Sequence, residues 1–241
     1  MYDFVSLWTG GPLFAQSEHF KLGTDTVLLA DFVNTGSRKK GIDLGCGSGA
    51  VPLLLLTKSE KLSMTGLEIN PEAAECARAN MEKNGLSERS EIVCGDIKNV
   101  KALFSSGEFE LVTVNPPYFP QGSGKVSPIA ARAAARGEML CTLEDICSAA
   151  AYLCKTGGVF CMVHRAERLT DVLCTLRQCG FEPKRLRLVS HKADSDPSLL
   201  LVEARRGGAS GVKVLPTLFV RNDDGSETDE ILKIYHREGN Q

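Results

Sequence analysis

Segments typical of β-strands alternate with segments typical of α-helices over most of this chain, from Lys40 to Ala204. Short apolar runs such as Gly41–Leu44 and Glu110–Val114 predict buried strands, and amphipathic stretches between them predict helices. Five strand–helix units in succession make the strands parallel, with helices on both faces of the sheet. The last two strands follow each other without room for a helix, so one of them is reversed. The sequence therefore predicts an α/β fold, a doubly wound, mostly parallel seven-stranded sheet of Rossmann-like type with one reversed strand.

The ends of several predicted helices are marked by capping residues. Asn70 and Thr142 are predicted N-caps, and either Thr24 or Asp25 can cap the first helix. We predict a hairpin within 5–21, strands over 41–44, 64–68, 92–93, 110–114, 159–163, 184–190 and 198–204, and helices over 24–33, 49–57, 71–85, 142–154 and 166–178.

A length of 241 residues is compatible with one large domain, and we predict a single domain over 1–241. Within it, residues 1–37 hold the hairpin and first helix, 38–205 the core sheet, and 206–241 a C-terminal strand and tail. Residues 120–138 carry glycines and no strand signal, so we expect a loop there.

The composition excludes several classes of protein. With a net charge of −2, any binding of nucleic acid must come from a local basic patch. No apolar run approaches the ~20 residues of a membrane span, and the four histidines have no metal-ligand spacing. The nine cysteines include no Cys-x-x-Cys pair and predict free, buried thiols in a reducing compartment. We therefore expect a cytoplasmic protein with no metal.

Acidic and glycine residues stand at the predicted carboxyl ends of successive strands, where open α/β sheets bind ligands. In Asp43-Leu-Gly45-Cys-Gly47-Ser-Gly49, the glycines let a ligand lie against the backbone at a helix N-terminus. The Asp43 carboxylate would repel a pyrophosphate, which disfavours a dehydrogenase, and would attract the ammonium group of S-adenosylmethionine. Glu68 can accept the ribose hydroxyls of this cofactor, and Asp96 its adenine amino group.

The segment Asn115-Pro-Pro-Tyr-Phe119 follows the fourth predicted strand and points to chemistry on a planar amino group. The side-chain oxygen of Asn115 and the carbonyl of Pro116 can accept both N–H bonds of such a group. That contact draws the nitrogen toward a pyramidal geometry and aims its lone pair at a methyl donor. Proline fixes φ and so presents its carbonyl rigidly, and Tyr118 can stack on the target.

These motifs together resemble class I S-adenosylmethionine-dependent amino-methyltransferases over about residues 20–205. A narrower resemblance, to bacterial tRNA (adenine-N6)-methyltransferases that act on a valine tRNA, rests on Phe20–Ala30, Asn115–Phe119 and Ala135–Glu138. It implies methylation of an exocyclic adenine amine beside the anticodon. It also implies that the segment Lys21–Asp25 folds over the cofactor, with Asp25 and Asn115 among the cofactor ligands.

A tRNA substrate would need side chains that hold a base and phosphates. The predicted substrate-binding residues are Tyr118, Phe119, Arg132, Arg136, Lys184 and Arg185. For Lys184 and Arg185, an ordinary charged edge strand is an equal alternative.

Other functions compatible with these residues are methylation of a glutamine amide in a protein, or of an amine in ribosomal RNA or DNA. A cofactor-binding subunit without activity of its own is a further alternative, which the intact Asn115–Tyr118 motif disfavours. We expect tRNA as the partner, no membrane, and no obligatory protein partner.

Overall fold

The computed structural model describes residues 2–16, 22–116 and 141–237. In this part of the chain the strands are β1 Val5–Ser6, β2 Leu13–Phe14, β3 Lys40–Leu44, β4 Ser63–Glu68, β5 Ser90–Cys94, β6 Phe109–Val114, β7 Cys154–Arg165, β8 Phe181–Ser190, β9 Pro197–Arg206, β10 Lys213–Val214 and β11 Leu218–Phe219. The α-helices are α1 Thr24–Phe32, α2 Ala50–Lys58, α3 Pro71–Lys83, α4 Val100–Leu103, α5 Leu143–Leu153, α6 Leu169–Gln178 and α7 Asp229–Ile234.

The central sheet confirms the predicted doubly wound arrangement. Its strand order is β10-β8-β9-β7-β6-β3-β4-β5, and β11 also pairs with β8. The five strands from β3 to β7 are parallel, whereas β9 runs antiparallel to both of its neighbours. The two short strands β10 and β11 extend the predicted seven strands beyond β8.

Strand β7 begins earlier than predicted, because Gly157 and Gly158 lie inside the strand rather than in a turn before it. A side chain on Gly158 would lie 2.7 Å from the Cys154 sulfur, so only glycine fits there. The register between β6 and β7 also shifts between Phe109 and Leu111, which is typical of a bulge.

The predicted caps were right for two helices and wrong for the first. Asn70 accepts hydrogen bonds from the first turn of α3, and Thr142 forms a capping box at the start of α5. Helix α1 instead begins after Gly23, which offers no side-chain cap, so Thr24 and Asp25 are helical. An acidic residue in the first turn still stabilises the positive end of a helix, and Asp25 has that position.

The N-terminal hairpin of β1 and β2 is held to helix α3 by two asparagine amides. Asn84 Oδ1 accepts the N–H of Leu13 (2.8 Å), and Asn84 Nδ2 donates to the Leu13 carbonyl (2.7 Å). Asn80 makes the same pair of bonds to Ala15, at 2.7 and 2.9 Å. The hairpin therefore packs against the helix that follows β4, beside the glycine loop.

The two faces of the sheet carry separate apolar cores. One face packs against α1 and α2, and the core between them includes Leu28 of α1, Leu53 of α2 and Cys161 of β7. The other face packs against α5 and α6, and includes Phe160 and Phe181. Because successive strand residues point to opposite faces, these clusters show which site residues share a face.

Within the described ranges, no helix is both apolar enough and long enough to cross a membrane. All nine cysteines are free thiols, as predicted. Five of them are buried, whereas Cys141 and Cys179 are half-buried and Cys94 and Cys174 are exposed.

Candidate functional site

Four predicted site residues meet at the carboxyl edge of the sheet. Asp43 on β3 pairs in register with Gly66 on β4 and with Thr113 on β6. Glu68 is the last residue of β4, and Asn115 directly follows β6. Asp96 lies two residues beyond the end of β5. All four positions therefore lie at the same edge of the sheet.

The glycine loop between β3 and α2 depends on backbone conformations that favour glycine. Gly45, Gly47 and Gly49 have φ values of 70°, 54° and 82°, in the left-handed region. The N–H groups of Gly45 and Cys46 both donate to the carbonyl of Leu67, at 2.8 and 3.0 Å. These bonds tie the loop to the neighbouring strand β4 and turn it over the edge of the sheet.

Glu68 holds the glycine loop and the following loop in place. It is buried, and its Oε2 accepts the N–H of Gly47 at 2.8 Å. Its Oε1 accepts the N–H of Asn70, also at 2.8 Å. Since each carboxylate oxygen has a second lone pair, Glu68 can still accept hydrogen bonds from a ligand's hydroxyl groups.

Asp43 is a buried carboxyl group next to this loop. The Thr113 hydroxyl donates a 2.6 Å hydrogen bond to Asp43 Oδ1. Burial, reinforced by the nearby charge of Glu68, raises the pKa of Asp43 to about 7, although the bond from Thr113 acts in the opposite direction. A ligand cation beside Asp43 would favour its ionised form and would be held by it.

Asn115 is half-buried and its amide has a defined orientation. Its Nδ2 donates to the Thr26 hydroxyl at 2.9 Å, which joins β6 to the first turn of α1. Among the described residues, no donor binds Asn115 Oδ1, so this oxygen can accept a hydrogen bond from a substrate. Pro116 is buried beside it, whereas Tyr118 and Phe119 lie outside the described residues.

Asp96 and Asp25 each accept a hydrogen bond from a nearby backbone N–H group. Asp96 Oδ1 accepts the N–H of Lys98 at 2.9 Å and caps a short 3₁₀ helix. Asp25 Oδ1 accepts the N–H of Thr26 at 2.8 Å. Because Thr26 contacts Asn115, Asp25 lies at the end of α1 that approaches the site.

The structure does not bring Lys184 and Arg185 to this edge. Both lie in the amino-terminal half of β8, and Lys184 donates to the carbonyls of Ala209 and Gly211. Arg185 pairs with Glu203 at 2.8 Å and stacks over the ring of Phe32 at 4.4 Å. The alternative prediction of an ordinary edge strand is wrong at this point, because β10 pairs with β8 at Arg185. Arg132 and Arg136 lie outside the described residues.

Sequence reasoning missed three residues that support the site. Thr113 had a recognisable sequence signal, because it is a hydroxyl residue among the apolar residues at the end of β6. Asn80 is fully buried and donates to the carbonyl of Ser48 in the glycine loop, at 2.8 Å. Thr26 had no signal, since its contact with Asn115 joins segments that are distant in sequence.

Comparison with known proteins places this site in a family. Residues 13–176 match the family described as the methyltransferase small domain. The chain is 31% identical over 194 residues to a "tRNA1(Val) (adenine(37)-N6)-methyltransferase" of Porphyromonas gingivalis, covering 77% of this chain and 74% of that protein. A protein of the same name from Dickeya chrysanthemi is 30% identical, covering 91% of this chain and 90% of its own length.

Solved structures share the fold. A predicted O-methyltransferase from Agrobacterium tumefaciens superposes with a TM-score of 0.70 and 21% identity, covering 89% of this chain and 96% of the other. A geranyl diphosphate C-methyltransferase from Streptomyces coelicolor, solved with S-adenosyl-L-homocysteine, has a TM-score of 0.54 and 12% identity, covering 75% and 78%. The fold, the family match and the identity to curated relatives agree: the chain belongs to the methyltransferase small domain family and is an S-adenosylmethionine-dependent N-methyltransferase.

Proposed function

We propose that this enzyme binds S-adenosylmethionine across the carboxyl ends of β3, β4 and β5. Asp43 holds the ammonium group of the methionine moiety, and the loop at Gly45 and Gly47 lies against it. Glu68 accepts the ribose hydroxyls, and Asp96 the adenine amino group. Asp25 and Asn115 complete the ligand set from the side of α1 and β6. The observation that carries this assignment is the buried Asp43 carboxyl beside an open glycine loop, since it fits a cation better than a phosphate.

The substrate nitrogen then lies at Asn115. Asn115 Oδ1 and the Pro116 carbonyl accept its two N–H bonds, so its lone pair is directed toward the methyl group that the cofactor supplies. The bond from Asn115 Nδ2 to Thr26 supports this role, because it fixes which amide atom faces the substrate. No strong general base is required if the proton leaves after the methyl group is transferred.

We propose that the nitrogen is N6 of an adenosine in tRNA, next to the anticodon of a valine tRNA. This proposal rests on the names of the relatives and on Tyr118 and Phe119, which can stack on a base that has left the anticodon loop. A loop base costs less to unstack than a duplex base, which favours a loop adenosine as target.

The test is methyl transfer from labelled S-adenosylmethionine to separate pools of tRNA, ribosomal RNA, DNA and protein, followed by mass spectrometry of the digests. We expect N6-methyladenosine in tRNA, lost when the adenosine beside the valine anticodon is replaced. Label on glutamine N5, or only on ribosomal RNA or DNA, would contradict the substrate while leaving the methyltransferase assignment intact.

The variant Asn115→Ala tests the proposed role of Asn115 in methyl transfer. We expect turnover to fall by roughly 10²–10³-fold, because a positioned acceptor is lost from the transition state. Calorimetry should show cofactor affinity close to that of the wild type. Turnover close to wild type in this variant would show that the motif serves only to terminate β6.

A further inference from the structure

The strand order separates the proposed cofactor ligands from a second region of the same edge. Strands β5, β4 and β3 carry the acids and the glycine loop, whereas β7, β9 and β8 lie on the other side of β6. Asn115, at the end of β6, therefore stands between the two regions. A nucleotide whose base reaches Asn115 from the side opposite the cofactor must pass over the end of β7.

Arg165 is the last residue of β7 and lies on the same face of the sheet as Asn115. Cys161 and Val163 pack into the apolar core formed with α1 and α2, and Arg165 follows them at the same alternation. The register pairs Val114 with Met162, so Arg165 stands two positions beyond the level of Asn115 on the adjacent strand. At the usual strand dimensions its Cα is about 8 Å from that of Asn115.

The guanidinium of Arg165 has no counter-charge among the described residues. Its Nε is the only described buried side-chain nitrogen or oxygen without a hydrogen-bond partner. The neighbouring Arg168 pairs with Asp171, and none of the ion pairs among the described residues involves Arg165. A buried donor without an acceptor is rare and costly. The two terminal nitrogens of the same half-buried side chain also form no hydrogen bond with a described residue, so they can donate to an acceptor that a ligand supplies.

The preceding residue on the strand, His164, does not provide a negative charge for Arg165. His164 is buried on the opposite face, and its Nδ1 accepts the backbone N–H of Arg165 at 2.9 Å. Burial, with the charges of Arg168 and Arg165 added, lowers the pKa of His164 to about 4. The histidine is therefore neutral near pH 7, and the guanidinium charge remains for an anion.

We propose that Arg165 binds a phosphate of the substrate nucleotide whose base enters the site at Asn115. This inference rests on the proposed function, since it names how that substrate is held. Arginine suits the role because its planar fork donates two parallel hydrogen bonds to phosphate oxygens. Contacts of this kind fix the position of a nucleic acid without reading its sequence.

The test compares Arg165→Gln and Arg165→Lys with the control Arg205→Gln. Arg205 is exposed on β9 and pairs in register with Val159, in the part of the sheet away from this edge. The control thus removes one arginine charge far from the site. For each variant, tRNA binding is measured from low to moderate salt, with kcat and KM for tRNA and calorimetry of S-adenosylmethionine as a check on folding.

We expect Arg165→Gln to raise Kd and KM for tRNA by about tenfold, because one phosphate contact is lost. For the same reason the slope of log Kd against the logarithm of the salt concentration should fall by about one. The variant should keep its kcat and its cofactor affinity. Arg165→Lys should recover part of the tRNA affinity, and Arg205→Gln should behave as the wild type.

Three other results would overturn the inference. If the wild type methylates tRNA and Arg165→Gln keeps its tRNA affinity and salt slope, the role of Arg165 is wrong and the proposed function stands. If Arg165→Gln loses cofactor affinity as well, Arg165 is structural. If the wild type neither binds nor methylates tRNA, both proposals fail.

Discussion

Asp43 and Glu68 bring two carboxyl groups close together in the buried end of the sheet. Glu68 accepts hydrogen bonds from two backbone N–H groups, whereas Asp43 accepts one from the Thr113 hydroxyl. Burial is the main reason why the pKa of Asp43 rises to about 7, and the charge of Glu68 adds to this effect while the single bond from Thr113 opposes it. Its charge at neutral pH therefore depends on what binds beside it.

The affinity for S-adenosylmethionine should rise with pH up to about pH 7. The proposed site needs ionised Asp43, whose pKa without ligand is about 7, so protons compete with the cofactor below that pH. We expect the Kd from calorimetry to increase about tenfold for each pH unit below 7. Asp43→Asn should bind weakly at every pH and show a flat profile. A wild-type Kd that is constant from pH 5.5 to 7.5 would contradict the role of Asp43.

The raised pKa of Asp43 also makes the stability of the ligand-free protein depend on pH. This stability should fall as the pH rises, whereas the affinity for the cofactor should increase. Folded Asp43 binds its proton up to about pH 7, whereas the unfolded group releases it near its ordinary value of 3.8. The raised pKa therefore makes its whole contribution to the free energy of unfolding below pH 3.8, and that contribution is lost as the pH rises through 7. Asp43→Asn should remove this part of the pH dependence in chemical denaturation.

Thr26 is a positioning residue, and its removal should affect turnover more than binding. Thr26→Val keeps the shape but deletes the hydroxyl that holds the Asn115 amide. Losing one such hydrogen bond, worth about 1 kcal/mol, should lower kcat about five- to tenfold. The cofactor Kd should not change, and Thr26→Ser should restore turnover. A Val variant with wild-type kcat would show that the contact with Asn115 has no functional consequence.

At the scale of elements, the N-terminal hairpin and the glycine loop share one support on α3. Asn80 bonds to Ala15 of the hairpin segment and to Ser48 of the loop, while Asn84 bonds only to Leu13 of the hairpin and to its own helix. The two asparagines stand one helical turn apart and so point the same way. They allow the two contacts to be separated experimentally.

Asn80→Ala should therefore weaken both stability and cofactor binding. It removes three hydrogen bonds to backbone groups of Ala15 and Ser48, which we expect to cost about 3 kcal/mol in the free energy of unfolding. Asn84→Ala, the matched control, should destabilise the hairpin and keep the cofactor affinity, because it does not contact the loop. Equal effects of the two variants on cofactor Kd would contradict this division.

Much of the element pattern could be predicted because local signals and tertiary packing agreed. Asn70 and Thr142 cap helices in the sequence and in the fold, since these bonds form within one turn. The start of α1 was misjudged because Thr24 is a good N-cap type, yet Gly23 has that place. The sequence places Lys184 and Arg185 on a strand, but their partners, Glu203 and the carbonyls of Ala209 and Gly211, come from distant segments that no local pattern reveals.

At the scale of the whole molecule, the C-terminal segment packs into the same core as the helices that cover the site. Leu218 and Ile231 are each 1% exposed within the core on the α1 and α2 face. Arg187 on β8 forms a two-pronged ion pair with Glu230 of α7, at 2.7 and 2.8 Å. These contacts favour the single domain over 1–241 that we predict, rather than an appended tail.

A single domain should unfold in one transition that every probe reports alike. Trp8 is the only tryptophan, and its ring stacks on His236 with centroids 4.2 Å apart, so its fluorescence reports the contact between hairpin and C-terminus. Far-ultraviolet circular dichroism reports the sheet and helices. We expect coincident denaturation curves from the two probes. In Ile231→Ala, both curves should report a free energy of unfolding lower by about 2–5 kcal/mol, because the substitution leaves a cavity in the core. Val214→Ala, at a 63% exposed position on β10, should shift neither curve measurably.

A fluorescence transition that precedes the circular dichroism transition would show instead that the hairpin and C-terminus unfold apart from the core.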